Sequence, residues 1–556
     1  MIDGRSVYTP AYSGTFWDMQ HTMLEDIDRI EIIRGPGGTI WGANAVNGVI
    51  NIITKKAQDT QGGLVSLGVG NQDRFTEAAR YGGKLSETSY GRLYVMGGDR
   101  NSNELAGSGR DAYDGWQNIQ GGFRADGNIG AKDEWNIQGD IYKNDGDQIV
   151  SPFWTNSYPY MSVNYGNISS QGENLIGRWQ HTFDNADKLS FKAYYDGTDR
   201  DEVYYHAKFS TTDLDVQYEK SIGSWNNLTM GAGYRQVDAT FENTFQVQIP
   251  DQTKDLYSLF AQDEIPLITE TLVLTLGMKY EHNDYTGEEW QPSGRILYKP
   301  ASNHSLWAAV GKAVRTPSMA EKTGAILFGL AETPYGMLPL YITGAPDFGS
   351  ETVIAYEAGY RWQAQKNLSF DAAVYYNDYQ GLYSTTYNLS SSGRPGLLIS
   401  NAESGEGKGL ELAANWQASP WLSFALTYTW QDLTLSWEET SAQSVSSTSI
   451  SSVNYPKNQF SIRTTADLSE NWQVNGWLRY VDEIYALGNV GTQNLIPVSD
   501  YFLLDMNIIW KPKQNLEIML SGQNLLNNSQ LEYISEFITP ATEISRGVYL
   551  KATWKF

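Results

Sequence analysis

No cysteine occurs among the 556 residues. That absence removes disulfide frameworks, thiol nucleophiles and cysteine-held zinc together. No apolar run reaches the roughly 18 residues that a membrane-crossing helix needs. Any passage through a membrane must therefore use strands, which place only alternate residues against lipid and escape a hydropathy scan. Basic residues are few: 40 Lys and Arg stand against 64 Asp and Glu, a net charge of −24. A nucleic-acid binder needs the opposite balance to neutralise phosphate, so nucleic acid is excluded as a partner. The acidity fits solvated loops and turns, and it also fits a mouth that tolerates cationic or metal-bearing ligands. The five histidines, His21, His181, His206, His282 and His304, show no zinc or haem spacing. No resident metal or cofactor is expected, and a metal cargo would arrive already chelated. A G-x-S-x-G elbow is missing and no Ser/His/Asp cluster stands out, so no enzyme is expected. No basic n-region or apolar h-region follows Met1; the residues IDGRSVYT read as a strand already under way.

What is present is glycine (53), tyrosine (36) and tryptophan (18) in quantity. A single soluble core seldom grows to this length, so the chain reads as several domains or one very large barrel. After Thr60 the texture becomes period-two alternation and stays so to the end. Val548, Leu550, Ala552, Trp554 and Phe556 fall on one face; Tyr549, Lys551, Thr553 and Lys555 fall on the other. The same pattern recurs at Leu272 to Tyr280, Leu422 to Trp430 and Phe502 to Trp510, with aromatics toward segment ends as an interfacial girdle requires. Segment centres fall near Val65, Ala78, Leu93, Ile119, Ile137, Ile176, Phe191, Val216, Gly231, Leu259, Leu274, Arg295, Ala309, Ala358, Ala373, Leu412, Phe424, Ile462, Gly476, Met506, Ile518 and Leu550, twenty-two in all. An even number brings both ends of a single-chain barrel to one side.

Connection lengths alternate as well. Short ones carry turn residues, as in DNAD (184–187), KPASN (299–303), QASP (417–420), LSEN (468–471) and KPKQN (511–515). Long ones span about 146–172, 316–350, 383–406, 434–455 and 527–545; Ser/Thr-rich 434–455 reads as a mobile loop. This asymmetry belongs to outer-membrane barrels, and an open sheet edge does not survive in lipid. The expected fold is an all-β membrane protein, a 22-stranded antiparallel transmembrane β-barrel over 60–556 with a partial N-terminal plug, residues 1–59, inside the lumen.

The stretch Ile27 to Lys56, IDRIEIIRGPGGTIWGANAVNGVINIITKK, stacks strand-like runs around a glycine-rich centre. Gly35, Gly37, Gly38 and Gly42 permit compact turns and close backbone approach, and VINIIT reads as a buried strand. Arg29, Glu31, Arg34, Gly35, Pro36, Gly42, Ala43, Gly48, Val49, Ile50, Asn51 and Ile52 resemble the plug signature of TonB-dependent outer-membrane receptors. The resemblance continues at Arg315, Pro317, Ser318 and Glu321 in VGKAVRTPSMAEKT, at Glu357 and Gly359 in ETVIAYEAGYRW, at Gly409 and Glu411 in GKGLELAANWQ, and in GQNLLN (522–527). The closing residues Trp554 and Phe556 resemble the aromatic signal read by the barrel-assembly machinery.

The resemblance implies a transporter in the outer membrane of a Gram-negative bacterium, set among outer-membrane lipid and lipopolysaccharide. It implies active uptake of a scarce nutrient bound by outer loops and plug, most simply a ferric siderophore, with cobalamin or another metal chelate next. It implies TonB and its inner-membrane energising complex as partner, through a short box at the receptor's N-terminus. It also implies an ionic latch between plug arginines and wall glutamates, here Arg34 with Glu357 and Glu411. The box, the first half of the plug and one latch arginine would lie upstream of IDGRSVY in the family, so Met1 reads as an internal start, a fragment or a misassigned gene start. The alternative is a plug-shortened passive or leaky pore without energised transport. A plugless porin disagrees with residues 27–56 and with the strand number, and a soluble β-rich adhesin has no reason to keep the connection rhythm. For the ligand, the aromatic segments 151–167 and 326–348 stand out, with Phe153, Trp154, Tyr158, Tyr160, Tyr335 and Tyr341 as candidate contacts, because aromatic rings give large contact area at low entropy cost.

Overall fold

The computed structural model describes residues 1–556 except 224, 335, 389–394, 438–443, 446–453, 488–494 and 535–538. Tyr335 and most of 434–455 therefore lie outside the described residues. Twenty-two strands close into an antiparallel barrel. It opens with Gly62–Gly70 and ends with Gly547–Lys555, and these two strands pair from Leu64↔Lys555 to Gly70↔Tyr549, which removes the sheet edge. Phe556 fastens the seam: its N–H donates to Gly63 O at 2.9 Å and its carbonyl accepts from Gly63 N–H at 2.7 Å. Trp554 points outward beside it, ring centroids 4.6 Å apart.

Alternation places one set of side chains outside. Leu259, Val310, Val374 and Leu412 are exposed along a belt around the cylinder. Aromatic pairs bound that belt at both ends: Trp472–Trp510, Trp416–Phe424 and Trp362–Phe370 at one, Tyr280–Trp290 and Tyr480–Phe502 at the other. Rings with a polar handle suit a membrane interface, where one end of the side chain is apolar and the other wet. No helix among the described residues is long and apolar enough to cross a membrane.

Strands join by short turns at the end where Gly62 and Phe556 meet and by longer connections at the other. Two stretches expected to be loops are largely strand. Asp133–Trp154 and Met161–Thr182 stay paired out to Trp154↔Met161, so 146–172 is mostly a hairpin projecting beyond the belt. Leu368–Asn388 and Gly396–Ser419 do the same across 383–406. The ladder hydrogen bonds continue wherever the backbone stays extended, whether or not lipid lies outside, and the apolar alternation that marks the belt fades before the ladder does. The connection 316–350 holds a short helix, Met319–Thr323, and a hairpin of Ala325–Thr333 with Gly336–Thr343.

Residues 1–60 occupy the lumen. Their centre is a hairpin of Ile27–Arg34 with Gly48–Thr54, paired from Ile27↔Thr54 to Arg34↔Gly48 with one register shift between Ile27 and Arg29. Ile2 adds a parallel bridge to Ile52. The turn between the strands packs a one-turn helix, Gly38–Trp41, against the wall.

Candidate functional site

The lumen element is tied to the wall mainly by charge. Asp26 is 2 % exposed and ion-pairs with both Arg80 and Arg92 of the wall. Arg5 reaches Asp196 at 2.6 Å, Asp18 accepts from Arg200 at 2.6 Å, and Glu25 meets Lys551 at 2.5 Å. Asp3 accepts from Gln138 at 2.8 Å and from the Thr54 N–H at 2.9 Å, while Arg178 donates to its carbonyl. Inward-facing positions of neighbouring strands supply these partners, because a lumen-facing residue recurs at every second position. Burial opposes ionisation of Glu25, yet Lys551 outweighs it and holds the carboxyl below its ordinary range. Burial keeps His21 below its ordinary value, so it stays neutral between element and wall.

The glycine-rich turn is shaped by wall side chains. Gly35 has φ +73°, and a Cβ there would stand 2.1 Å from Glu357 Oε1. A Cβ on Gly42, at φ +83°, would stand 2.4 Å from Glu281 Oε1, and the neighbouring Ala43 N–H donates to Glu281 Oε2 at 2.8 Å. Asn44 N–H donates to Val314 O at 2.8 Å, and its side chain accepts from Thr316 N–H at 3.1 Å. Glycine at 35 and 42 thus answers both a left-handed backbone and a carboxylate pressed against it.

Each described residue singled out from the sequence has a definite place. Arg34 donates to Glu411. Glu357 lies against Gly35 and forms no ion pair within 4.0 Å among the described residues, so these two glutamates meet the turn differently. Arg29 pairs with Asp28 and Glu31 on the open face of the hairpin rather than with the wall. Asn51 is buried and donates to Glu31 at 3.0 Å, which keeps the two strands in register. Pro36 packs near Gly311, and Gly48 faces Arg34 across the hairpin. Tyr158 is exposed at the tip of the projecting hairpin, with Tyr160 edge-on at 6.2 Å. Phe153 is half-buried. Tyr341 is buried with Ala325 and Leu327 and donates to Phe245 O at 3.2 Å; Trp154 packs on the same cluster, so both serve loop–loop packing in this conformation.

Sequence reasoning missed two features. One is the set of carboxylates, Asp3, Asp18, Glu25 and Asp26, that reach basic wall residues; attention to arginines inside and glutamates outside concealed the reverse polarity. Inward parity of Arg80, Arg92 and Arg124 on successive strands was the available signal. The other is an aromatic apex on the lumen element. Tyr8, Tyr12 and Trp17 are exposed, and Phe16 covers the Arg200 guanidinium at 4.2 Å. This apex faces the long connections: Met319 N–H donates to Pro10 O at 3.0 Å and Ala320 N–H to Ala11 O at 3.1 Å. Arg315, the last residue of its strand, donates to Ser13 and to Glu351. The opposite end of the element leads into the wall at the short-turn end, where Ala57 N–H donates to Asp126 at 2.6 Å.

A family model described as "TonB dependent receptor-like, beta-barrel" matches residues 57–525, and one described as "TonB-dependent Receptor Plug Domain" matches residues 1–49. The ferric enterobactin receptor of Pseudomonas aeruginosa is 24% identical over 433 residues, 65% of this chain and 56% of that protein. The vitamin B12 transporter of Vibrio vulnificus is 21% identical over 400 residues, 69% of this chain and 59% of that one. The chain thus spans less than two thirds of the length of these relatives. In three dimensions, a crystal structure of the ferric enterobactin receptor of Pseudomonas aeruginosa superposes with a TM-score of 0.79 at 16% identity, covering 100% of this chain and 90% of that one. The siderophore receptor PirA of the same organism superposes at 0.73 and 17% identity, with the same coverage.

Proposed function

Because the chain belongs to the TonB-dependent receptor family of the outer membrane, we propose that it is a gated receptor for active uptake of a scarce metal chelate, a ferric siderophore first and cobalamin next. The family is one of receptors and transporters, so no enzymatic activity is assigned. In this reading residues 1–59 are the later half of a plug and residues 60–556 the barrel. TonB and its inner-membrane energising complex supply the force. The barrel-assembly machinery reads Trp554 and Phe556, and outer-membrane lipid and lipopolysaccharide surround the belt. Arg34 with Glu411, and Glu357 against Gly35, act as the releasable latch, while Tyr158 and Tyr160 meet the ligand at the outer rim with Phe153, Trp154 and Tyr341 behind them; Tyr335, a further candidate contact, lies outside the described residues.

The observation that carries the reading is a lumen filled by an element held through ion pairs and glycine contacts rather than by an apolar core of its own. Pulling parts such pairs one at a time, at a cost of about 3–5 kcal/mol for each buried pair, whereas a fused hydrophobic core would not yield locally. Uptake of radiolabelled ferric chelates by iron-starved cells lacking their own receptors tests it. Uptake that requires both this chain and TonB is expected. Chelate entry that persists without TonB, together with leakage of small solutes, identifies the passive-pore alternative.

A further inference from the structure

The two ends of the barrel differ in charge. In sequence, the segments joining strands at the loop end carry sixteen acidic residues and five basic ones, against five and two in the short turns. The cations at the loop end are already committed. Arg200 is held by Asp18 and Glu202, Arg315 by Glu351 and Glu321, and Arg479 by Asp505. Lys322 is buried on Pro346 O at 2.7 Å, and Arg546 donates to Asn527 O at 3.1 Å. Arg110 at the rim and Lys254, lying over the Tyr285 ring at 4.3 Å, are the exceptions among the described residues. By contrast Glu104, Glu332, Asp347, Glu483 and Asp500 are exposed and form no ion pair among the described residues. At the same end the plug apex exposes Tyr8, Tyr12 and Trp17, Tyr12 with Phe16 edge-on at 5.0 Å.

Such a surface attracts positive charge and holds it over ring faces. A triply negative tris-catecholate complex of ferric iron would approach against that field and find its natural partners, guanidinium groups, taken by built-in carboxylates. A ferric tris-hydroxamate, which is neutral or singly positive, meets neither obstacle. We infer that the cargo is a neutral or cationic chelate of the hydroxamate kind rather than a multiply anionic catecholate. This inference rests on the receptor reading above and narrows it.

The test uses the full chain folded in liposomes, with binding read by tryptophan quenching. The probes are ferrioxamine B, which is singly positive, ferrichrome, which is neutral, and ferric enterobactin, which is triply negative. Ferrioxamine B or ferrichrome is expected to bind at least about tenfold more tightly than ferric enterobactin at low salt, with the margin shrinking as salt screens the field. The combined variant Glu332→Lys, Asp347→Lys and Glu483→Lys should narrow the gap by raising affinity for ferric enterobactin. Equal or tighter binding of ferric enterobactin by the unmodified chain overturns the charge inference and leaves the receptor reading standing. If none of the probes binds a barrel shown to be folded, the charge inference falls and the receptor reading keeps only its cobalamin form.

Discussion

Two sectors of the wall treat the plug differently. The strands from Gly62 to Ile222 grip it: Arg80, Arg92, Arg124, Arg178 and Arg200 point inward and reach plug carboxylates, a plug carbonyl or the Thr54 hydroxyl, with wall Asp126 also holding Arg124 and wall Glu202 also holding Arg200. The strands from Gly396 to Gln523 barely touch it, and Arg34–Glu411 is the ion pair between them among the described residues. The second sector is not short of charge. Arg463 and Arg479 both stack on Trp477 at 4.1 Å, and Arg479 pairs with Asp505 at 2.5 Å. Its ion-paired cations find their partners within the wall, whereas Arg80, Arg92 and Arg178 of the first sector find theirs on the plug. The contrast concentrates the plug's attachment where the wall turns buried guanidinium groups toward the lumen.

Exposure sets the energetic difference. Asp26 and its two arginines have side chains less than a tenth exposed, whereas the Arg34 side chain is 59% exposed. Breaking a buried pair strands an uncompensated charge and costs about 3–5 kcal/mol. An exposed pair contributes about 0–1 kcal/mol.

The largest effect is therefore expected from Asp26→Asn, which leaves Arg80 and Arg92 facing each other in the buried sector. Plug docking should weaken by about 3 kcal/mol or more. Hydrogen exchange over 27–60 should accelerate while the barrel strands stay protected and the protein stays heat-modifiable on gels. Next comes Gly35→Ala, which puts a Cβ onto the Glu357 carboxylate in a left-handed conformation. A cost of about 1–2 kcal/mol from the backbone alone should appear as faster proteolysis at the 34–48 turn, and unchanged cleavage would refute the close approach.

Glu25, held by Lys551 on the closing strand that pairs with Gly62–Gly70, adds a test through pH. Its folded pKa lies below the ordinary 4.5 because Lys551 outweighs the opposing burial. A depressed carboxylate stabilises fully above the ordinary value and loses that contribution as pH falls through the folded one. Protection around residues 24–26 should hold from neutrality to about pH 4.5 and decline below it. Glu25→Gln should remove that acid-dependent decline. The smallest effect is expected from Glu411→Gln, at about 1 kcal/mol or less and reduced further by salt. If Glu411→Gln frees the plug as fully as Asp26→Asn does, the distinction between the sectors is lost.

Much of the barrel was legible because its signal is repetitive. Each of the twenty-two centres read from alternation lies on a wall strand, from Val65 on Gly62–Gly70 to Leu550 on Gly547–Lys555. Lipid imposes one rule on every strand, so a weak pattern repeated along the chain becomes a strong one. Strand length was less legible: beyond the belt nothing requires apolar alternation, and the hairpin of Asp133–Trp154 with Met161–Thr182 continues without it. At the plug, Gly35 and Gly42 announced tight turns but not the Glu357 and Glu281 carboxylates against them.

What the amino-acid order determined by itself is which residues face inward and which face lipid, since period two follows from backbone geometry alone. It did not determine which inward charges meet. Asp26 lies 54 residues from Arg80, and Glu25 is joined to Lys551 at the far end of the chain. Those pairings exist because closure brings the first and last strands together around one lumen, where desolvated charges must find partners across sequence distance.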